Sequence, residues 1–141
     1  MPQQIKPMRD DLMVQQQIGK NRWRHMVAVM CLNLTYRKQV KRVLPLLFNR
    51  YPDPRSFIRG KAAKQKQILK DLGMVNVRTA RMRRMSKEYL NWDKINASDL
   101  HGIGKYGSDS YEIFFKNNIP KGVKDKQLRK YIRRLKCAQQ T

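Results

Sequence analysis

Apolar positions three and four residues apart run through most of this chain. Trp23, Met26, Val27, Met30, Cys31 and Leu34 form the stripe of an amphipathic helix with one buried face. Val40, Val43, Leu44, Leu47, Phe48 and Tyr51 repeat it, and Pro45 inside this second stripe predicts a kink or a division into two shorter helices. Tyr51-Pro52-Asp53-Pro54 ends the segment, because a proline disfavours helical geometry in the residue before it. Ser56 is placed to cap a short basic helix reaching about Leu72, with Gly73 as its left-handed terminus. Val77, Ala80, Met85 and Tyr89 outline another helix with arginines on its outer side. Asn96 to Asp99 reads as a cap leading into Leu100 and His101. Gly102-Ile103-Gly104 interrupts, and residues 106–117 resume the period, giving helix, tight turn, helix. Leu128, Tyr131, Ile132 and Leu135 define a last helix beginning just after Asp125. No stretch alternates apolar and polar residues as a half-buried strand does. The expected fold is all-α, two small helical lobes sharing a cleft.

Length and composition narrow this picture. At 141 residues the chain fits one compact domain, expected over residues 12–137, with a flexible N-terminus at 1–11 and a loose end at 138–141. An apolar fraction of 40% with 8 Met argues against disorder. Thirty-two Lys and Arg against 10 Asp and Glu give a net charge of +22, a field that draws polyanions before any specific contact forms. Nucleic acid is the natural partner, although architectural, ribosomal and membrane-surface proteins are also this basic. No apolar run approaches the roughly 20 residues of a membrane span, and the first ten residues hold no apolar signal core, so the expected setting is intracellular. Cys31 and Cys137 are too few for a disulfide framework or a four-cysteine metal site, and Cys31 on an apolar face reads as a buried thiol. His25 and His101 have no neighbouring ligand at metal spacing, so no metal is expected.

The segment Leu100-His101-Gly102-Ile103-Gly104 carries the most chemistry. Two glycines one residue apart allow a sharp turn and close approach to another chain, and amides at the following helix start favour phosphate. Lys105 adds charge. Taken alone, Gly-x-Gly also fits a plain interhelical turn. The longer run Leu-His-Gly-Ile-Gly-Lys-Tyr-Gly-Ser-Asp-Ser-Tyr at 100–111 resembles the helix–hairpin–helix (HhH-GPD) DNA glycosylases of the endonuclease III/MutY superfamily. It is especially similar to the catalytic domain of the methyl-CpG-binding-domain thymine glycosylases. Met13-Val14-Gln15, Trp23, Leu32-Asn33-Leu34-Thr35, Tyr51-Pro52, Ser86-Lys87-Glu88-Tyr89-Leu90 and Asp125-x-x-Leu128 extend the likeness over about residues 12–135.

The resemblance assigns roles by position. Asp125, 21 residues after Gly104, falls where the family keeps its obligatory aspartate. A carboxylate there stabilises positive charge on the sugar or orients the attacking water; a plain N-cap is the other reading. Tyr106 stands where strand-cutting members carry a Schiff-base lysine, which a phenol cannot replace. It is counted with Asp125 in the catalytic pair and also lines the base pocket, with adjacent Lys105 keeping a lyase step open. Gln15 matches a glutamine that reads a flipped pyrimidine, its amide offering donor and acceptor; a solvated glutamine in Gln15-Gln16-Gln17 is the alternative. Leu34 occupies the position of the side chain that fills the gap left by the base, where the nearest branch has arginine; an ordinary core leucine also fits the stripe. Gly102, Gly104, Lys105, Gly107 and Lys126 are the expected phosphate contacts. Arg78, Arg81, Arg83, Arg84, Lys87, Arg129, Lys130, Arg133, Arg134 and Lys136 are candidates for further backbone contacts.

With two cysteines the chain holds too few ligands for the family's iron–sulfur cluster, leaving a monovalent cation at the hairpin as the one ion the resemblance admits. The expected activity is that of a monofunctional glycosylase, without lyase activity, excising uracil, thymine or a 5-substituted uracil such as 5-hydroxymethyluracil, mispaired with guanine, from double-stranded DNA. The expected protein is a DNA-associated monomer. A non-catalytic DNA-binding module, a glycosylase-derived enzyme of base hypermodification and a basic RNA-binding protein are the competing readings.

Overall fold

The computed structural model describes residues 5–139, and they fold as eight α-helices joined by turns, with no strand among the described residues. These are α1 (Val14–Ile18), α2 (Arg22–Leu32), α3 (Arg37–Arg50), α4 (Pro54–Arg59), α5 (Ala62–Ile68), α6 (Val75–Tyr89), α7 (Lys105–Phe115) and α8 (Lys126–Gln139). The expected all-α class holds. Residues 1–4 and 140–141, the outer parts of the two ends expected to be loose, lie outside the described residues.

Helix α2 is the centre of the fold. Asn21 Oδ1 accepts the Arg24 N–H and caps it, and Trp23, Met26, Val27 and Ala28 are buried where α2 meets α1, α3, α6 and α7. The stripe ends earlier than its spacing suggests. Asn33 is extended, and Leu34 is left-handed at φ 57° and 84% exposed, so it is no core leucine. Helix α3 runs unbroken through Pro45. The carbonyl that Pro45 is unable to serve, that of Lys41, instead accepts the Met8 N–H at 2.9 Å, and Lys41 Nζ donates to Asp10 O. An incoming arm thus satisfies the group whose loss was expected to break the helix, and it docks Met8 against the core.

The basic segment after Pro52 also differs from expectation. Asp53, rather than Ser56, is the cap: Asp53 Oδ1 accepts the Ser56 N–H while Ser56 Oγ returns to the Asp53 N–H. This helix stops at Gly60, where a Cβ would collide with the Tyr51 ring, so one expected helix becomes α4, α5 and a 3-10 turn at Lys70–Leu72 before left-handed Gly73. In α6 the inward face is Arg78, Thr79, Met82, Met85 and Ser86, with Val77 and Ala80 outside. The first arm of the glycine hairpin is a single 3-10 turn, Ala97–Asp99, rather than a helix.

One large apolar cluster spans α1 to α7, and a smaller one joins Ile113 of α7 to Leu128 and Ile132 of α8. Tyr106 packs against both and so sits on the seam between them.

Candidate nucleic-acid interface and active site

The hairpin is held from behind and open in front. Glu88 Oε1 accepts the His101 N–H at 2.7 Å, pinning the turn to α6. Gly102 is left-handed at φ 81°, and a Cβ there would meet Met30 Cε at 2.8 Å. Gly104 precedes α7 with no side-chain cap and open space where a Cβ would be. The first-turn N–H groups of Lys105, Tyr106 and Gly107 therefore have no intrahelical acceptor. Gly107 itself is buried, a Cβ there meeting Ile103 Cγ2 at 2.9 Å and Val29 Cγ2 at 3.1 Å, so its bareness serves packing while its amide stays in the first turn. Lys105 Nζ is paired with the buried Asp109 carboxylate at 3.0 Å. Lys126 is exposed at the start of α8.

Beside the hairpin lies a cleft of about 350 Å³, lined by the end of α2, the start of α6 and residues 102–107. Two large apolar side chains stand at its rim, Leu34 and Met74, 84% and 57% exposed. Both have left-handed backbones, φ 57° and 48°. Met74 was not singled out in the sequence, which offers no signal for a non-glycine residue in that conformation.

Chain positions far apart meet at Tyr106. Gln15 Nε2, from α1, donates to Tyr106 Oη at 2.7 Å and to Ser110 Oγ at 3.3 Å. Ser110 Oγ in turn meets His25 Nε2 at 2.8 Å. Gln15, Ser110 and His25 are buried, and no solvated glutamine is present at position 15. Burial pushes the Tyr106 phenol up to about 12, and the Asp125 charge acts in the same direction on it. Burial also drives His25 down to about 3, so its imidazole is neutral, with Nδ1 enclosed and unpartnered. Asp125 Oδ2 accepts the Leu128 N–H at 2.9 Å, making it the cap of α8. Asp125 is half-buried, and its second oxygen is not used by that bond. Gln15 and Asp125 do not line the 350 Å³ cleft; Tyr106 is the residue common to it and to the polar cluster. Ser110 and His25 were missed because their tie to Gln15 spans three helices.

The basic surface divides in two. Arg81, Arg84, Lys87, Arg129, Lys130, Arg133, Arg134 and Lys136 are exposed. Arg78 and Arg83 instead turn inward. Arg83 donates to the carbonyls of Phe57, Ile58 and Gly60 and to Gln65 Oε1, closing the end of α4. Arg78 bonds oxygens of residues 30–35 and Gly73. Among the described residues no three His, Cys, Asp or Glu side chains gather to hold a metal ion, and no helix is long and apolar enough to cross a membrane.

No protein-family model matches the sequence. The methyl-CpG-binding domain protein 4-like protein of Arabidopsis thaliana is 35% identical over 96 residues, which is 68% of this chain and 22% of that protein. The chain therefore spans about a fifth of this relative's length. Among solved structures, a thermostable thymine-DNA glycosylase superposes with a TM-score of 0.66 at 16% identity, over 72% of this chain and 50% of its own. An endonuclease III trapped as a covalent intermediate with DNA gives 0.63 at 16% identity, over 70% and 50%. The chain shares the fold of these two solved structures, and by sequence it is similar to part of the methyl-CpG-binding domain protein 4-like protein.

Proposed function

We propose that the chain is a DNA N-glycosylase without lyase activity that removes uracil, thymine or a 5-substituted uracil, mispaired with guanine, from duplex DNA. The observation that carries this reading is the hydrogen bond from Gln15 Nε2 to Tyr106 Oη at 2.7 Å, which joins α1 to the first turn of α7 beside the glycine hairpin.

Phosphate would bind at the uncapped start of α7, where amide N–H groups and the positive helix end coincide. Leu34 and Met74, standing free at the cleft rim, would enter the base stack as the nucleotide leaves it. The extruded base would rest against Tyr106, whose raised pKa keeps an O–H available for donation. Gln15 has its Nε2 committed to Tyr106 and Ser110, so its Oε1 is the atom offered to a base, suited to the N3–H of uracil or thymine. Asp125 would then act through its second oxygen. As the C1′–N1 bond breaks, the base leaves with the bonding electrons, and positive charge grows on the sugar beside the carboxylate. A water oxygen bonds to C1′ and its proton ends on the departing base anion, leaving an abasic site and the neutral free base. Tyr106 has no amine for strand cleavage, and that of the adjacent Lys105 is paired with Asp109.

The test is a panel of duplexes carrying single G·U, G·T and 5-hydroxymethyluracil positions, treated with alkali to reveal abasic sites. Excision on at least one, reduced about a hundredfold or more by Asp125→Asn, is expected. Absence of excision on all of them points instead to a DNA-binding module, and excision that Asp125→Asn leaves unchanged means that Asp125 is only the cap of α8.

A further inference from the structure

Arg78 lies on the inner face of α6, 9% exposed, and every N–H of its guanidinium is engaged. Nε donates to Gly73 O at 3.0 Å; one Nη donates to Met30 O and Cys31 O, both at 3.3 Å; the other donates to Asn33 O at 3.0 Å and to Thr35 Oγ1. All these acceptors are neutral oxygens, and those of Met30 and Cys31 belong to the C-terminal turn of α2, where the helix dipole is negative. They also divide into two groups. Asn33 and Thr35 flank Leu34, and Gly73 precedes Met74. One rigid planar fork thus spans the two turns that lift both exposed apolar side chains into left-handed geometry at the cleft rim.

We infer that Arg78 is a positioning residue that sets the placement of Leu34 and Met74 relative to each other, and so governs how well the protein holds open a base pair. The inference rests on the proposed base-extrusion function. Its physical content is that each turn is fixed locally, by Arg78 N–H to Met74 O at 2.9 Å and by Thr35 Oγ1 to Asn33 O at 3.2 Å, whereas the Arg78 guanidinium ties the two turns to each other. Leu34 is almost wholly solvent-facing, and Met74 more than half so, so neither is located by its own packing. A lysine at position 78 keeps the charge but has no planar fork, and it is unable to bridge two turns with fixed angles. Misplacement of an inserting side chain by about 1 Å is enough to lower a rate by as much as about a hundredfold.

The discriminating property is the strength of the pair to be opened. A residue that only supports the fold affects every substrate alike, whereas one that positions the inserting side chains matters most where extrusion is hardest, because an unpaired base needs little help. Single-turnover excision is therefore measured for uracil opposite adenine, opposite guanine, and opposite an abasic analogue, with wild type, Arg78→Lys, Leu34→Ala and Met74→Ala. For Arg78→Lys the expected loss is about tenfold to a hundredfold on the U·A pair, smaller on U·G, and within about threefold on the unpaired uracil. Thr35→Val, which removes one acceptor of the fork, gives the same gradient more weakly and serves if Arg78→Lys fails to fold. Equal losses on all three substrates, or none, overturn the inference. If wild type excises nothing, the proposed function fails instead; if it acts on U·G and spares U·A, the gradient is read between U·G and the unpaired uracil; if Leu34→Ala and Met74→Ala show no gradient while wild type is active, their insertion role fails.

Discussion

Replacing His25 by glutamine isolates the titration of one buried imidazole. In the folded chain burial holds its pKa at about 3, whereas the exposed side chain of the unfolded chain titrates at 6.5. Between these values the unfolded state carries a proton that the native state refuses, so stability rises with pH across that window. The contribution is complete above pH 6.5 and is lost progressively as pH falls toward 3. Its slope approaches about 1.4 kcal/mol per pH unit, which amounts to about 2 kcal/mol between pH 6.5 and pH 5. Glutamine keeps a polar group near Ser110 Oγ and has no proton to gain. Urea unfolding at pH 7, 6 and 5 reads the effect directly. The wild type should lose about 2 kcal/mol more than His25→Gln over this range. His101 is present in both proteins and cancels. Parallel loss in the two would show that the imidazole is solvated or protonated in the fold, and would remove the neutral hydrogen bond to Ser110 on which the placement of Gln15 depends.

The two duties of Asp125 separate by substitution. Asparagine caps a helix as well as aspartate, so Asp125→Asn should leave the urea midpoint nearly unchanged while excision collapses; Asp125→Ala should lose activity and about 1 kcal/mol of stability. Arg81→Gln should lower the slope of log affinity against log salt by about 1, whereas Arg83→Gln should leave that slope alone and weaken the fold by about 2 kcal/mol, because it uncaps the carbonyls of Phe57, Ile58 and Gly60. Tyr106→Phe removes the nearer of the two acceptors of Gln15 Nε2 and should slow excision about tenfold with little change in phosphate-driven affinity, measured by binding to an undamaged duplex.

The helices were legible where burial is one-sided, since Trp23 through Cys31 and Val40 through Phe48 repeat at the helical period whatever they pack against. What local pattern does not carry is the identity of distant partners. Pro45 looks like a breaker until Met8, 37 residues earlier, is seen to occupy the carbonyl it abandons. Arg78 looks like one more solvated arginine, because four of its five acceptors lie 43 to 48 residues upstream and all but Thr35 Oγ1 are backbone oxygens, which leave no mark on a sequence. Gln15 and Tyr106 are 91 residues apart, and only the family likeness, not periodicity, singled out both. Asp53 and Ser56 are both good caps, and Pro54, which suits the first position of a helix, puts the start at Asp53.

The left-handed conformations of Leu34 and Met74 bear on how this protein tolerates evolution and engineering. A residue with a Cβ in that region stores about 1 to 2 kcal/mol that glycine would release. Selection for heat resistance alone, blind to DNA, would favour Leu34→Gly and Met74→Gly, since both side chains bury too little to repay their strain. If Leu34 and Met74 act as proposed, directed evolution screened only for survival of heating should therefore yield hardier proteins that extrude bases poorly, so a thermostability campaign on this scaffold needs these two positions held fixed.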